Sequence, residues 1–119
     1  MRAPVAALAG AVLLAGVPGA ASAARPSHFV CDVGPVRRDF GGAPWLVYSC
    51  GDARTLLFEG APGGKAASLY FEVSLEADGA HLGGRSGEGQ EVTGAAFREV
   101  AALPRDGLAA LLAATEAAR

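Results

Sequence analysis

Hydrophobic and polar residues alternate most cleanly from Leu69 to Glu76, where Leu69, Phe71, Val73 and Leu75 are interleaved with Tyr70, Glu72, Ser74 and Glu76. A period of two puts the first set on a buried face of a strand and the second on a wet one. Asp78-Gly79 then fits a two-residue type I′ turn. That turn sets Ala77 against Ala80, Glu76 against His81, Leu75 against Leu82 and Glu72 against Arg85, with both charged pairs on the wet face. Gly83-Gly84 and Gly87 to Gly89 weaken the returning strand, which is expected to be short or bulged.

Upstream, Trp45 to Cys50 and Thr55 to Glu59 are two strand-like runs around a Gly51-Asp52-Ala53-Arg54 break, a hairpin pattern. Neither run alternates, because Leu46, Val47 and Tyr48 are consecutive, as are Leu56, Leu57 and Phe58. Such strands are expected at the centre of a sheet covered, at least partly, on both faces. Phe29 to Val33 reads as a short strand ended by Gly34-Pro35. No apolar alternation follows, so residues 34–44, with Arg37-Arg38-Asp39 and Gly41-Gly42, are expected to form an exposed loop. Gly60 to Ala67, containing Pro62-Gly63-Gly64, reads as a second loop.

From Thr93 the period changes to that of a helix. Thr93 stands as an N-cap ahead of Phe97, Val100 and Ala101, and a second helix has Pro104 at its first position. Leu108, Leu111, Leu112 and Thr115 make its apolar stripe, and Gly107 costs it roughly 1 kcal/mol against alanine. Strands first and helices last imply an α+β fold: an antiparallel β-meander of four to five strands, then two C-terminal α-helices packed on the dry face.

The N-terminus changes the picture from fold to address. Met1-Arg2, the uncharged apolar run Val5 to Val17, the Pro18-Gly19 break and Ala21-Ser22-Ala23 have the order of a secretory signal cut after Ala23. The run is short of the roughly 20 residues that span a bilayer, so no membrane anchor is expected after cleavage. Residues 1–23 are thus read as a cleaved signal peptide and 24–119 as one small domain, periplasmic or secreted. In that compartment Cys31 and Cys50, the two cysteines of the chain, are expected to form a disulfide worth about 3 kcal/mol. The chain has no Asn, no Ile and one Lys against nine Arg, the bias of a GC-rich bacterial genome.

Composition and motifs exclude more chemistry than they suggest. A net charge of −2 with scattered basic side chains argues against nucleic acid. There is no Cys-x-x-Cys, no Gly-x-Ser-x-Gly, and His28 and His81 do not make a spaced ligand set, so neither metal nor cofactor is expected. The glycine-rich stretch Gly83 to Gly89 lacks the Lys-Ser/Thr of a P-loop. Two candidate surfaces remain. Tyr70, Glu72, Glu76, His81 and Arg85 share the wet face of the last hairpin, where Glu76 beside His81 could make an acid/base pair. Arg37 and Arg38 sit on the 34–44 stretch, which as a loop constrained near both ends could enter a protease cleft.

Tyr48-Ser49-Cys50-Gly51-Asp52 followed by Leu56-Leu57-Phe58 resembles the Tyr-x-Cys opening and next strand of periplasmic inhibitors of C-type lysozyme. That resemblance implies an all-β barrel and an inhibitory role. The later Ser-Gly and Phe-Trp motif strands of that family have no counterpart here, and two C-terminal helices depart from its barrel. The reading is therefore a monomeric, non-enzymatic accessory or binding module whose partner is an envelope or extracellular protein. Its alternatives are an inhibitor of a secreted hydrolase or protease acting through residues 34–44, and a small enzyme using the Glu76/His81 face.

Overall fold

The computed structural model describes residues 30–86 and 91–119. The expected signal peptide, Phe29 and Gly87 to Gly89 lie outside the described residues. Five strands, β1 (Val33–Phe40), β2 (Ala43–Ser49), β3 (Thr55–Gly60), β4 (Tyr70–Glu76) and β5 (Gly79–Arg85), pair with their sequence neighbours in an antiparallel meander. Helices α1 (Glu91–Ala101) and α2 (Arg105–Ala117) follow. This is the α+β architecture that the periodicity predicts, closed by the Cys31–Cys50 disulfide.

The core forms where alternating strand positions meet the helices. Trp45, Val47, Leu56, Phe58, Phe71 and Val73 are fully buried and pack with Ala96 and Val100 of α1 and Leu108 and Leu111 of α2. Phe58 and Phe71 stack at 4.5 Å, and Trp45 meets Phe71 edge-on at 5.0 Å. A buried indole needs a partner for its N–H, and Trp45 Nε1 donates to the Phe40 carbonyl at 3.0 Å. Ser49 and Thr115 are buried too, with hydroxyls 2.7 Å apart, and Thr115 Oγ1 lies 2.6 Å from the Leu112 carbonyl. A carbonyl only accepts, so Thr115 donates to Leu112 and takes the Ser49 proton, which satisfies both hydroxyls.

The structure corrects the sequence reading at five places. Residues 34–44 are not a loop: they are most of β1, the Gly41-Gly42 turn and the start of β2. Both turn glycines have positive φ, 62° and 77°, as a two-residue hairpin with the right-handed twist of its strands requires. Of the described part of the expected strand Phe29 to Val33, only Val33 belongs to a strand, as the first residue of β1, and the Val30 carbonyl instead accepts the Gly51 N–H at 3.0 Å. The last hairpin turns at Ala77-Asp78, one residue early, which pairs Glu76 with Gly79, Leu75 with Ala80 and Ser74 with His81. Thr93 is no N-cap: α1 begins at Glu91, and the buried Thr93 hydroxyl has no hydrogen-bond partner among the described residues. Pro104 caps α2 from outside, with the helix starting at Arg105.

One face of the sheet is covered by both helices, and no described helix lies on the other. Among the described residues, helices cover β2 and β3 on one face only, while Leu46, Tyr48 and Leu57 on the other are half-buried. Cross-strand neighbours share a face, so the outer face carries one row of Arg37, Leu46, Glu59 and Tyr70 and a second of Tyr48, Leu57, Glu72 and Gly84. There Tyr48 lies opposite Leu57, and Leu46 lies between Arg37 and Glu59. That explains why their apolar run survives on an open face.

Candidate functional site

The register sorts the sequence-predicted residues onto two faces. Arg37, Tyr70, Glu72, Glu76 and His81 share the outer face. Arg38 lies opposite Trp45 on the helix-covered side, at the sheet edge. Arg37 and Arg38 thus point to opposite sides of an edge strand and present no protruding loop. Arg85 also reaches the helix side, because Gly83 is an extra residue between the Val73–Leu82 and Glu72–Gly84 pairs. Such a bulge re-aims everything beyond it, and Arg85 ends opposite Phe71 instead of Glu72.

Glu76 and His81 do not form the expected cross-strand pair. The Glu76 carboxylate takes Arg54 Nη2 at 3.3 Å and the Ser74 hydroxyl. His81 Nε2 lies 2.7 Å from Asp78 Oδ1 in the neighbouring turn. The hydrogen bond to Asp78, and then its charge, raise the His81 pKa above the ordinary 6.5, and the same bond lowers that of Asp78. Both groups are solvated, the pair fixes the turn, and Asp78 also lines the neighbouring cleft.

The cleft with an apolar floor lies beside this turn, between the sheet end and α2. It encloses about 580 Å³. Leu75, Leu103, Leu108 and Leu112 supply apolar surface, and Arg54, Arg105, Glu76 and Asp78 supply charge. Each side chain is placed by a local device. Arg54 follows an Asp52 turn in which Oδ1 accepts the Arg54 and Thr55 N–H groups at 3.1 and 2.9 Å, and Oδ2 the Thr55 hydroxyl. Burial pushes the Asp52 pKa up, but the bonds from Thr55 and Arg54 outweigh it and hold the carboxyl below its usual value. Arg105, the first residue of α2, donates to the Ala77 carbonyl and so ties the helix to the β4–β5 turn. The Arg54 and Glu76 side chains are 57% and 40% exposed, so their ion pair contributes at most about 1 kcal/mol and can rearrange.

Sequence reasoning missed Arg54, Arg105 and the leucine floor. Only Glu76 of the predicted set lines this cleft. Residues from the β2–β3 turn, the β4 end and α2 converge through tertiary packing, and no local spacing announces that. Among the described residues no helix is long and apolar enough to cross a membrane, and no three His, Cys, Asp or Glu side chains gather as a metal-binding group. Comparison with known protein families, curated proteins and solved structures finds no match.

Proposed function

We propose that this chain is an exported, disulfide-held binding module of the cell envelope or extracellular space, without catalytic activity of its own, that takes a small amphipathic ligand in the cleft between the β4–β5 turn and α2. The observation that carries the reading is one cavity of about 580 Å³ in which a leucine floor meets Arg105, whose charge has no carboxylate partner among the described ion pairs, while Glu76 is paired with Arg54 and Asp78 with His81. Ligand sites of this kind fall between roughly 300 and 1,000 Å³ and combine apolar walls with few polar groups. Arg105 spends one guanidinium N–H on a neutral carbonyl and keeps its charge, which suits a carboxylate head group on an apolar tail.

The test is a titration of the oxidised protein from Ala24 onward with decanoate and with decanol, followed by the leucine methyl resonances. Saturable shifts of the Leu75, Leu103, Leu108 and Leu112 methyls, with Leu46 and Leu57 unmoved, are expected. Arg105→Gln should weaken decanoate about tenfold and leave decanol unchanged. Shifts that never saturate, or that favour the outer sheet face, would overturn the assignment.

A further inference from the structure

At the other end of the strands, a second cavity of about 800 Å³ opens between the β1–β2 turn, the β3–β4 loop, the end of β5 and the start of α1. Lys65, Arg85 and Arg98 line it, each from a different element, against one carboxylate, Glu91. We propose that this cavity is a binding site for a phosphomonoester-type dianion, independent of the leucine-floored cleft.

The three cations are positioned, each by a specific feature of the backbone. Lys65, the one lysine of the chain, precedes the buried Ala66 in a tightly bonded loop. The Ala66 carbonyl occupies the space that a Gly60 side chain would fill, 1.6 Å from a Cβ built there, and Leu69 N–H returns to the same carbonyl at 2.9 Å. Arg85 faces the cavity because of the Gly83 bulge: continuing the Val73–Leu82 register would set it opposite Tyr70 on the outer face, beside Glu59 and Glu72. Arg98 lies back along α1, its Nη1 3.5 Å from where a Gly94 Cβ would stand.

Charge accounts for the chemistry. The ion pairs among the described residues are Arg54–Glu76, His81–Asp78 and Arg119–Glu116, so none of these three cations has a carboxylate within pairing distance there. The neighbouring Glu99 accepts the Gly41 N–H at 2.7 Å, which holds it on the turn while it keeps its charge. Among the described residues, three positive charges against Glu91 and the nearby Glu99 leave a surplus of one. Like charges gathered without partners repel, and a dianion relieves that repulsion. Two guanidinium forks and an ammonium fit the several oxygens of a tetrahedral head group better than one planar carboxylate.

The experiment is an amide and side-chain NMR titration of the oxidised protein with inorganic phosphate at constant ionic strength, with sulfate and chloride in parallel. Saturable shifts at Lys65, Arg85, Gly94 and Arg98 are expected for phosphate above its second pKa and for sulfate at any pH near neutral, but not for chloride. Phosphate should bind more weakly as it gains a proton, whereas sulfate should not, which separates a dianion site from general acid sensitivity. R98Q should weaken phosphate about tenfold, and K65M/R85Q/R98Q should abolish saturation, with the melting temperature unchanged because all three side chains are exposed. R105Q should bind phosphate as the wild type does. Linear shifts shared with chloride, or phosphate affinity unaltered in the triple variant, would refute the site.

Discussion

Gly41 shows how much of this fold can depend on one missing methyl group. Its φ is +62°, and a Cβ there would stand 2.5 Å from the Ala96 amide of α1. Gly42 has a similar φ of +77° but open space around it. Gly42→Ala should therefore cost only the left-handed penalty, about 1–2 kcal/mol. Gly41→Ala adds an overpacked contact against backbone and should cost about 2–4 kcal/mol. Urea unfolding of the two variants separates the terms, and equal losses would show that α1 yields easily. His81 offers a second check at this scale. Its raised pKa means that its contribution to folding is complete below the unfolded value near 6.5 and is lost as pH rises through the folded value. Asp78, with a lowered pKa, contributes above its unfolded value and loses this as pH falls through the folded one. An NMR titration of His81 should give a midpoint above 6.5 that falls back in Asp78→Asn.

Among the elements, the junction of α2 with the sheet is the least apolar part of the core, because it contains the Ser49–Thr115 hydroxyl pair. Thr115→Val leaves the buried Ser49 hydroxyl unpartnered and should cost about 1–3 kcal/mol. Ser49→Ala should cost less, since Thr115 keeps its bond to the Leu112 carbonyl. The double variant should be no less stable than Thr115→Val alone, and simple additivity in chemical denaturation would show the pair to be uncoupled. What was legible in the sequence follows from the same physics. β4 and α2 were readable because one face is buried and the other wet, so the period is written in the residues. β1 was not, because an edge strand keeps few inward positions, and one of them is Arg38 opposite Trp45. Its Gly-Gly turn was the available signal. The β4–β5 register was misplaced by two residues, a shift that leaves every side chain on its original face, so alternation could not detect it. The extra residue at Gly83 does change the face, and Gly83-Gly84 imply a short or bulged strand without announcing the consequence for Arg85. The leucine-floored cleft was not legible at all, since Arg54, Glu76 and Arg105 meet only after α2 docks.

At the scale of the whole molecule, the meander gives two ends with a cavity at each: leucines with arginines and carboxylates beside the β4–β5 turn, cations beside the β1–β2 turn. The Cys31–Cys50 bond belongs to the first end, where it pins the start of the described chain to the β2–β3 turn across a separation of 19 residues. A loop of that length contributes about 3 kcal/mol, against a total of about 5–15 for a domain of this kind. Cys31→Ser/Cys50→Ser should therefore lower stability by about 2–4 kcal/mol without changing the sheet, because Gly51 N–H still holds the Val30 carbonyl and the aromatic core is remote from the bond. Urea unfolding measures the first, and amide chemical shifts of β3 and β4 the second. The leucine-floored cleft should respond differently from the cation-lined cavity. The Asp52–Arg54 turn lies directly after Cys50, so decanoate affinity should fall in the reduced or double-serine protein. Phosphate affinity should be retained, since Lys65, Arg85 and Arg98 depend on the opposite end. A parallel loss of both would mean that the bond stabilises the domain as one cooperative unit instead of shaping the end it closes.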